Sequence, residues 1–127
     1  MTEAVPDWWV KAIADFGANL GFADAADWRR NVLNLSMDGG KYLVDVERSG
    51  DDIVIAVLRD IPLPQVDEQI RFLLGQCSFE HYRPHFLQAG LKGESTLVLA
   101  VRLHLSEAHR MYEALEAVRK VFAEAGL

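Results

Sequence analysis

The stretch N31-V-L-N-L-S-M-D-G-G-K-Y-L-V-D-V-E-R-S-G-D-D-I-V-I-A-V-L-R59 decides the fold. Three strand-like runs lie in it, separated by the turn signals Asp38-Gly39-Gly40 and Ser49-Gly50-Asp51-Asp52. The first run, Val32 to Met37, sets Leu33, Leu35 and Met37 against Val32, Asn34 and Ser36. The second, Tyr42 to Arg48, sets Tyr42, Val44 and Val46 against Leu43, Asp45 and Glu47. Both alternate with period two, the mark of a half-buried antiparallel strand. In the third, Ile53 to Leu58, both faces are apolar, which predicts a central strand. Turns this short join neighbours, so the three runs predict a meander.

Working outward, the chain before the meander predicts a helix capped at Asp7 and running to about Leu20. Its apolar stripe is Trp9, Ile13, Phe16 and Leu20, and Gly21 closes it. Ala23 to Arg30 reads as a linker that Trp28 could anchor. After the meander, Pro62 and Pro64 break the pattern and a second helix follows from about Gln65 to Gln76, with Val66, Ile70, Leu73 and Cys77 as its stripe. A short strand is expected near Pro84 to Leu91, then a stronger one from Thr96 to Leu105 with Leu97, Leu99, Val101, Leu103 and Leu105 in one row. Ser106 is the expected cap of a last helix ending near Ala125, with Met111, Leu115, Val118 and Phe122 as its core stripe. The order is α-β-β-β-α-β-β-α: an α+β fold with a twisted antiparallel sheet and three helices in a single domain, residues 1–127. The first and last helices are the natural cover for the strongly apolar sheet face. The other face keeps a smaller patch of Leu43, Val54, Ala56, Leu58, Val98 and Ala100, which the short second helix is not expected to cover alone.

Composition excludes several functions. The 127 residues include 19 acidic and 13 basic side chains, a formal net charge of −6. Nucleic-acid binders carry the opposite sign, because phosphate neutralisation supplies most of their affinity. Arg29 and Arg30 are too small a basic spot to change that. No apolar run approaches the ~20 residues of a membrane span. The single cysteine, Cys77, precludes an internal disulfide, and the acidic start lacks the layout of a secretory signal, so a cytoplasmic setting is expected.

No catalytic constellation emerges, and neither an enzymatic role nor a cofactor is expected. Cys77, His81 and His85 are spaced four apart and would align as metal ligands on an unbroken helix, but Pro84 interrupts it. The plainer reading is a buried thiol at a helix end beside two surface imidazoles. No glycine-framed nucleophile turn accompanies a Cys77 pairing with His81, His104 or His109. Asp45, Glu47, Asp51 and Asp52 read as solvated charges. Asp38-Gly39-Gly40 lacks the lysine and spacing of a phosphate loop. Trp8 points about 100° away from Trp9 on the helix; it either lies flat on the surface or belongs to a contact site.

This order of elements in a short acidic chain resembles the class I type III secretion chaperones, the Tir-chaperone-like family. The resemblance is carried by the first helix ending Leu20-Gly21-Phe22, by Tyr42-Leu43-Val44-Asp45-Val46 and Ile53-Val54-Ile55-Ala56-Val57, by the Ile61-Pro62-Leu63-Pro64 break, and by Leu97 to Leu103 followed by Ser106 and the last helix. It implies a homodimer built through the second helix and neighbouring strand residues, here Val66, Ile70, Leu73, Leu74, Phe86 and Leu91. It also implies binding of the extended N-terminal segment of a secreted effector, with the secretion apparatus as a further partner. The client would add a strand at a sheet edge, here the first strand, with Val32, Asn34 and Ser36 beside it and Leu43, Val54, Ala56 and Leu58 as the floor. Competing readings are a partner-switching regulator or gatekeeper chaperone subunit of the same fold, an unrelated dimeric domain of similar fold, and a small metal-binding protein using Cys77, His81 and His85.

Overall fold

In the computed structural model, which describes residues 5–21, 31–77 and 85–127, the alternation of the meander becomes sheet pairing. Helix α1 spans Asp7–Asn19; β1 is Val32–Met37, β2 Tyr42–Ser49 and β3 Asp52–Asp60. Helix α2 is Val66–Gln76, β4 Leu87–Lys92, β5 Thr96–His104 and α3 Met111–Glu124. The five strands form one antiparallel sheet in the order β1-β2-β3-β5-β4, so the expected α+β architecture is present and β3 is central. The expected linker of Ala23 to Arg30, with Trp28, lies outside the described residues, as do Phe79, His81, Tyr82 and Pro84.

Turn chemistry sets the register. Four residues join Met37 to Tyr42, and three of them, Asp38, Gly39 and Gly40, have φ of 54°, 68° and 92°. Aspartate tolerates this left-handed backbone better than most residues. Arg119 of α3 grips its carboxylate at 3.0 Å while also holding Glu116 at 2.9 Å, which ties the hairpin to the helix layer. Two residues, Gly50 and Asp51, close the β2–β3 hairpin; Gly50 at φ 60° occupies the first central position, as a type II′ turn requires.

The inner sheet row is sealed. Val44, Val46, Ile53, Ile55, Val57, Leu97 and Leu99 have no accessible surface, and Trp9, Ile13 and Phe16 of α1 join Met111, Leu115, Val118 and Phe122 of α3 above them. Tyr42 packs its ring on Phe122, centroids 5.7 Å apart, and its hydroxyl donates to the Leu127 carbonyl at 2.7 Å. Gly126 at φ 80° lets the Leu127 N–H reach back to the Phe122 carbonyl at 2.9 Å, which closes α3.

Several expectations are corrected. Helix α2 packs against β4, β5 and α3, on the same sheet face as the other two helices. Leu73 has no accessible surface and Val66 very little, so both belong to the protomer's own core; Ile70 is half-buried. Ser106 does not cap the last helix. The His104 ring accepts from the Ser106 N–H at 3.2 Å, and Glu107 accepts from the His104 N–H at 3.4 Å. This capping box starts a 3-10 turn, Leu105–Arg110, ahead of α3. Strand β4 begins at Leu87, three residues after Pro84.

Leu73→Ala is expected to lower the unfolding free energy by about 2–5 kcal/mol, read by urea titration of the circular dichroism signal. Leu73→Asp places an unpaired carboxylate in the core and should yield an unfolded chain; a well-folded monomer would mean that Leu73 instead faces a partner.

Candidate functional site: the open sheet face and its edge

With three helices on one face, the opposite face has no cover among the described residues. Pairing arranges the side chains at its centre in three rows across the strands. One row runs Val32, Glu47, Val54, Arg102. The next runs Asn34, Asp45, Ala56, Ala100, Gln88. The third runs Ser36, Leu43, Leu58, Val98, Gly90. Leu43 and Val32 are 53% and 43% exposed. Val54, Ala56, Val98 and Ala100 are half-buried, and Leu58 is already buried between its row neighbours Leu43 and Val98. Val32, Asn34, Ser36, Leu43, Val54, Ala56 and Leu58 therefore share one face. The third row is a low apolar floor, and small residues in the middle row keep the centre shallow.

Charge on this face is unevenly satisfied. Arg102 bonds Asp52 at 2.8 Å and is neutralised there. The carboxylates of Asp45 and Glu47, two residues apart on β2, have no hydrogen-bond or ion-pair partner among the described residues. Asp45 is half-buried and Glu47 exposed.

Strand β1 is one end of the sheet. The Arg48 N–H donates to the Asn31 carbonyl at 2.8 Å, and the register pairs these two positions next beyond Val32 and Glu47. Hydrogen-bonded pairs alternate along an antiparallel ladder, so Leu33, Leu35 and Met37 also pair inward. Val32, Asn34 and Ser36 point their N–H and C=O groups away from β2. Residues 31–37 carry neither charge nor proline, the usual blunting devices of an exposed edge.

Strand β4 forms the other end. Leu91, 44% exposed, shares the helix side of the sheet with Leu87, and Leu74 of α2 is 53% exposed. Phe86 precedes β4 at 90% exposure and lies with Asp52, Gln88, Arg102, Leu103 and His104 around a cavity of about 370 Å³. The apolar surface expected at the dimer contact thus divides between the two sides of the β4 edge.

Of the three spaced metal candidates, His81 lies outside the described residues, Cys77 is half-buried at the end of α2, and His85 is buried, where a surface imidazole was expected. The His85 Nε2 lies 3.7 Å from a Glu113 oxygen. No group of metal-ligating side chains assembles among the described residues. Trp8 is half-buried and meets Trp9 edge-on, ring centroids 6.1 Å apart. Sequence reasoning missed the burial of His85, which no local pattern announces, and the capping role of His104.

Glu113 titrates below its ordinary value of 4.5 because Arg110 hydrogen-bonds its carboxylate, at 3.0 Å for the closer contact. Desolvation opposes this, and the charges of Arg110, His85 and His109 reinforce it. A depressed folded-state pKa contributes stability above the unfolded-state value and loses it as pH falls through the folded one. Arg110→Gln should move the Glu113 midpoint upward, read by carboxyl NMR titration; an unmoved midpoint would show that the hydrogen bond is not the main cause.

Comparison with known proteins gives the fold a lineage. No curated protein matches the sequence. Among solved structures, the chain is similar to YbjN from E. coli, described as a candidate transcription regulator, with a TM-score of 0.62 and 12% identity over 98% of this chain and 94% of that one. At that identity the likeness concerns the fold alone. The profile of the Tir chaperone protein (CesT) family matches residues 11–124, from the first helix to the end of the last. The chain belongs to the Tir chaperone protein (CesT) family.

Proposed function

We propose that the protein binds the N-terminal, non-globular segment of a secreted effector in the cytoplasm and keeps it soluble and competent for export. One observation carries this reading beyond family membership: a neutral β1 edge, without a neighbouring strand on its outer side among the described residues, borders a sheet face that no described helix covers. An extended client lies beside β1 and exchanges backbone hydrogen bonds with Val32, Asn34 and Ser36, while its side chains reach the surface of Val32 and Leu43. Backbone pairing asks little of client sequence, and the apolar floor adds selectivity. Binding keeps an aggregation-prone segment extended, and the work needs no nucleotide, metal or catalytic group.

Two copies of the chain pair through the β4 edge and the outer side of α2, where Leu74, Phe86 and Leu91 expose apolar surface. Pairing there leaves both β1 edges open, so one client can pass from one protomer to the other.

Asn34→Pro removes an outward N–H and leaves the β1–β2 ladder intact, because the lost donor faces away from β2. The variant should fold with unchanged urea midpoint yet retain at least tenfold less of a co-expressed effector N-terminal segment. Retention equal to wild type would dismiss β1 as the docking edge. For the dimer, Leu74→Asp combined with Phe86→Asp should give a folded monomer by light scattering; a persistent dimer would move the interface elsewhere.

A further inference from the structure

We infer that the segment received at β1 is a cationic amphipathic strand, with apolar residues at alternate positions on the helix side and lysine or arginine at i and i+2 on the open side, facing Asp45 and Glu47. The inference rests on docking at the β1 edge and adds the chemistry of the occupant.

Two independent features of the edge define that chemistry. On the helix side the core is unfinished: Tyr42, Val44 and Val46 of β2 are buried, whereas Leu33, Leu35 and Met37 of β1, directly opposite, are only half-buried. A further strand whose inward side chains are apolar would continue this row and remove that surface from water. On the open side the next apolar-free positions are acidic. Asp45 and Glu47 lie opposite Asn34 and Val32, and neither carboxylate has a partner among the described residues.

Geometry matches the two features to one ligand. Residues two apart on a strand are about 7 Å apart, and strands lie about 4.8 Å apart. Client residues at i and i+2 opposite Asn34 and Val32 would therefore face Asp45 and Glu47 across the width of β1. Lysine and arginine have stems long enough to lie over Asn34 and Val32 and bring their charge to those carboxylates. An acidic segment meets repulsion at the same place, which supplies discrimination as well as attraction. Arg102 is bonded to Asp52 and sits two strands beyond β2, and Lys92, also on this face, lies on β4 at the far edge, so neither neutralises the pair. A second copy of β1 would bring only neutral side chains to the edge, and so leaves the carboxylates unmatched.

The test uses the full chain and a displayed library of randomised twelve-residue segments. Segments are selected in parallel on wild type, on Asn34→Pro, and on the near-isosteric Asp45→Asn/Glu47→Gln double variant. Wild type should enrich lysine or arginine at two-residue spacing with apolar residues between. The enrichment should vanish on the double variant, and a synthesised winner should bind that variant about tenfold more weakly, from two ion pairs each good for about threefold. Selected segments that alternate apolar residues without basic enrichment, or that bind the double variant equally well, would overturn the inference and leave the docking edge standing. Winners that bind Asn34→Pro as well as wild type would remove the docking edge and this inference together. Self-association of wild type through β1 would assign the edge to a second copy and also overturn it.

Discussion

Everything in this molecule depends on how β3 and β5 are covered. They are the two interior strands of the sheet with apolar residues on both faces, and only one face of each is sealed. The sealed side holds Ile53, Ile55, Val57, Leu97 and Leu99, all without accessible surface, beneath α1, α2 and α3. Burial there is the main source of stability, since apolar area withdrawn from water stabilises at roughly 25 cal/mol per Å². Crowding three helices onto one face is what a sheet of this size permits when its connections return to the same side. The consequence is a second face whose apolar middle, Val54, Ala56, Val98 and Ala100, is shielded among the described residues only by its neighbours in the sheet.

The strands were legible because a sheet with one sealed face writes its period into the sequence. Tyr42, Val44 and Val46 against Leu43, Asp45 and Glu47 is such a record, and it located β2 to within a residue of its observed end. Helical stripes likewise identified Trp9, Ile13, Phe16, Leu115 and Phe122 as core. A stripe, though, reports that one side of a helix is buried and not which sheet face buries it. That is why α2 was expected to help with the mixed face and is found on the other. For the same reason Leu73 was counted as interface when its apolar surroundings come from its own protomer.

The remaining misses are tertiary or local competitions that pattern does not encode. Helix starts favour serine, yet His104, two residues earlier, supplies both halves of a capping box with Glu107, and Ser106 becomes its hydrogen-bond partner. The strand at β4 carries Gln88 and Gly90 at its centre, so alternation was too weak to fix its start. The face was legible, since all seven candidate residues lie on one side of the sheet. Which of its backbone groups face away from β2 required the hydrogen-bonding phase of the β1–β2 ladder, set by the bond from Arg48 to Asn31.

An exposed sheet edge is ordinarily a hazard, and proteins protect it with lysine, proline or a covering element. Residues 31–37 lack the first two, while the acidic pair that could repel like chains is set back on β2 rather than on the edge itself. That displacement has a physical consequence. A charge on β1 would desolvate against any incoming backbone and weaken every partner alike. A charge one strand inward stays hydrated until a side chain long enough to reach it arrives. In the proposed complex the edge contributes general affinity through its backbone, and the neighbouring strand contributes discrimination through Asp45 and Glu47, so each can change in sequence without disturbing the other or the sealed core beneath.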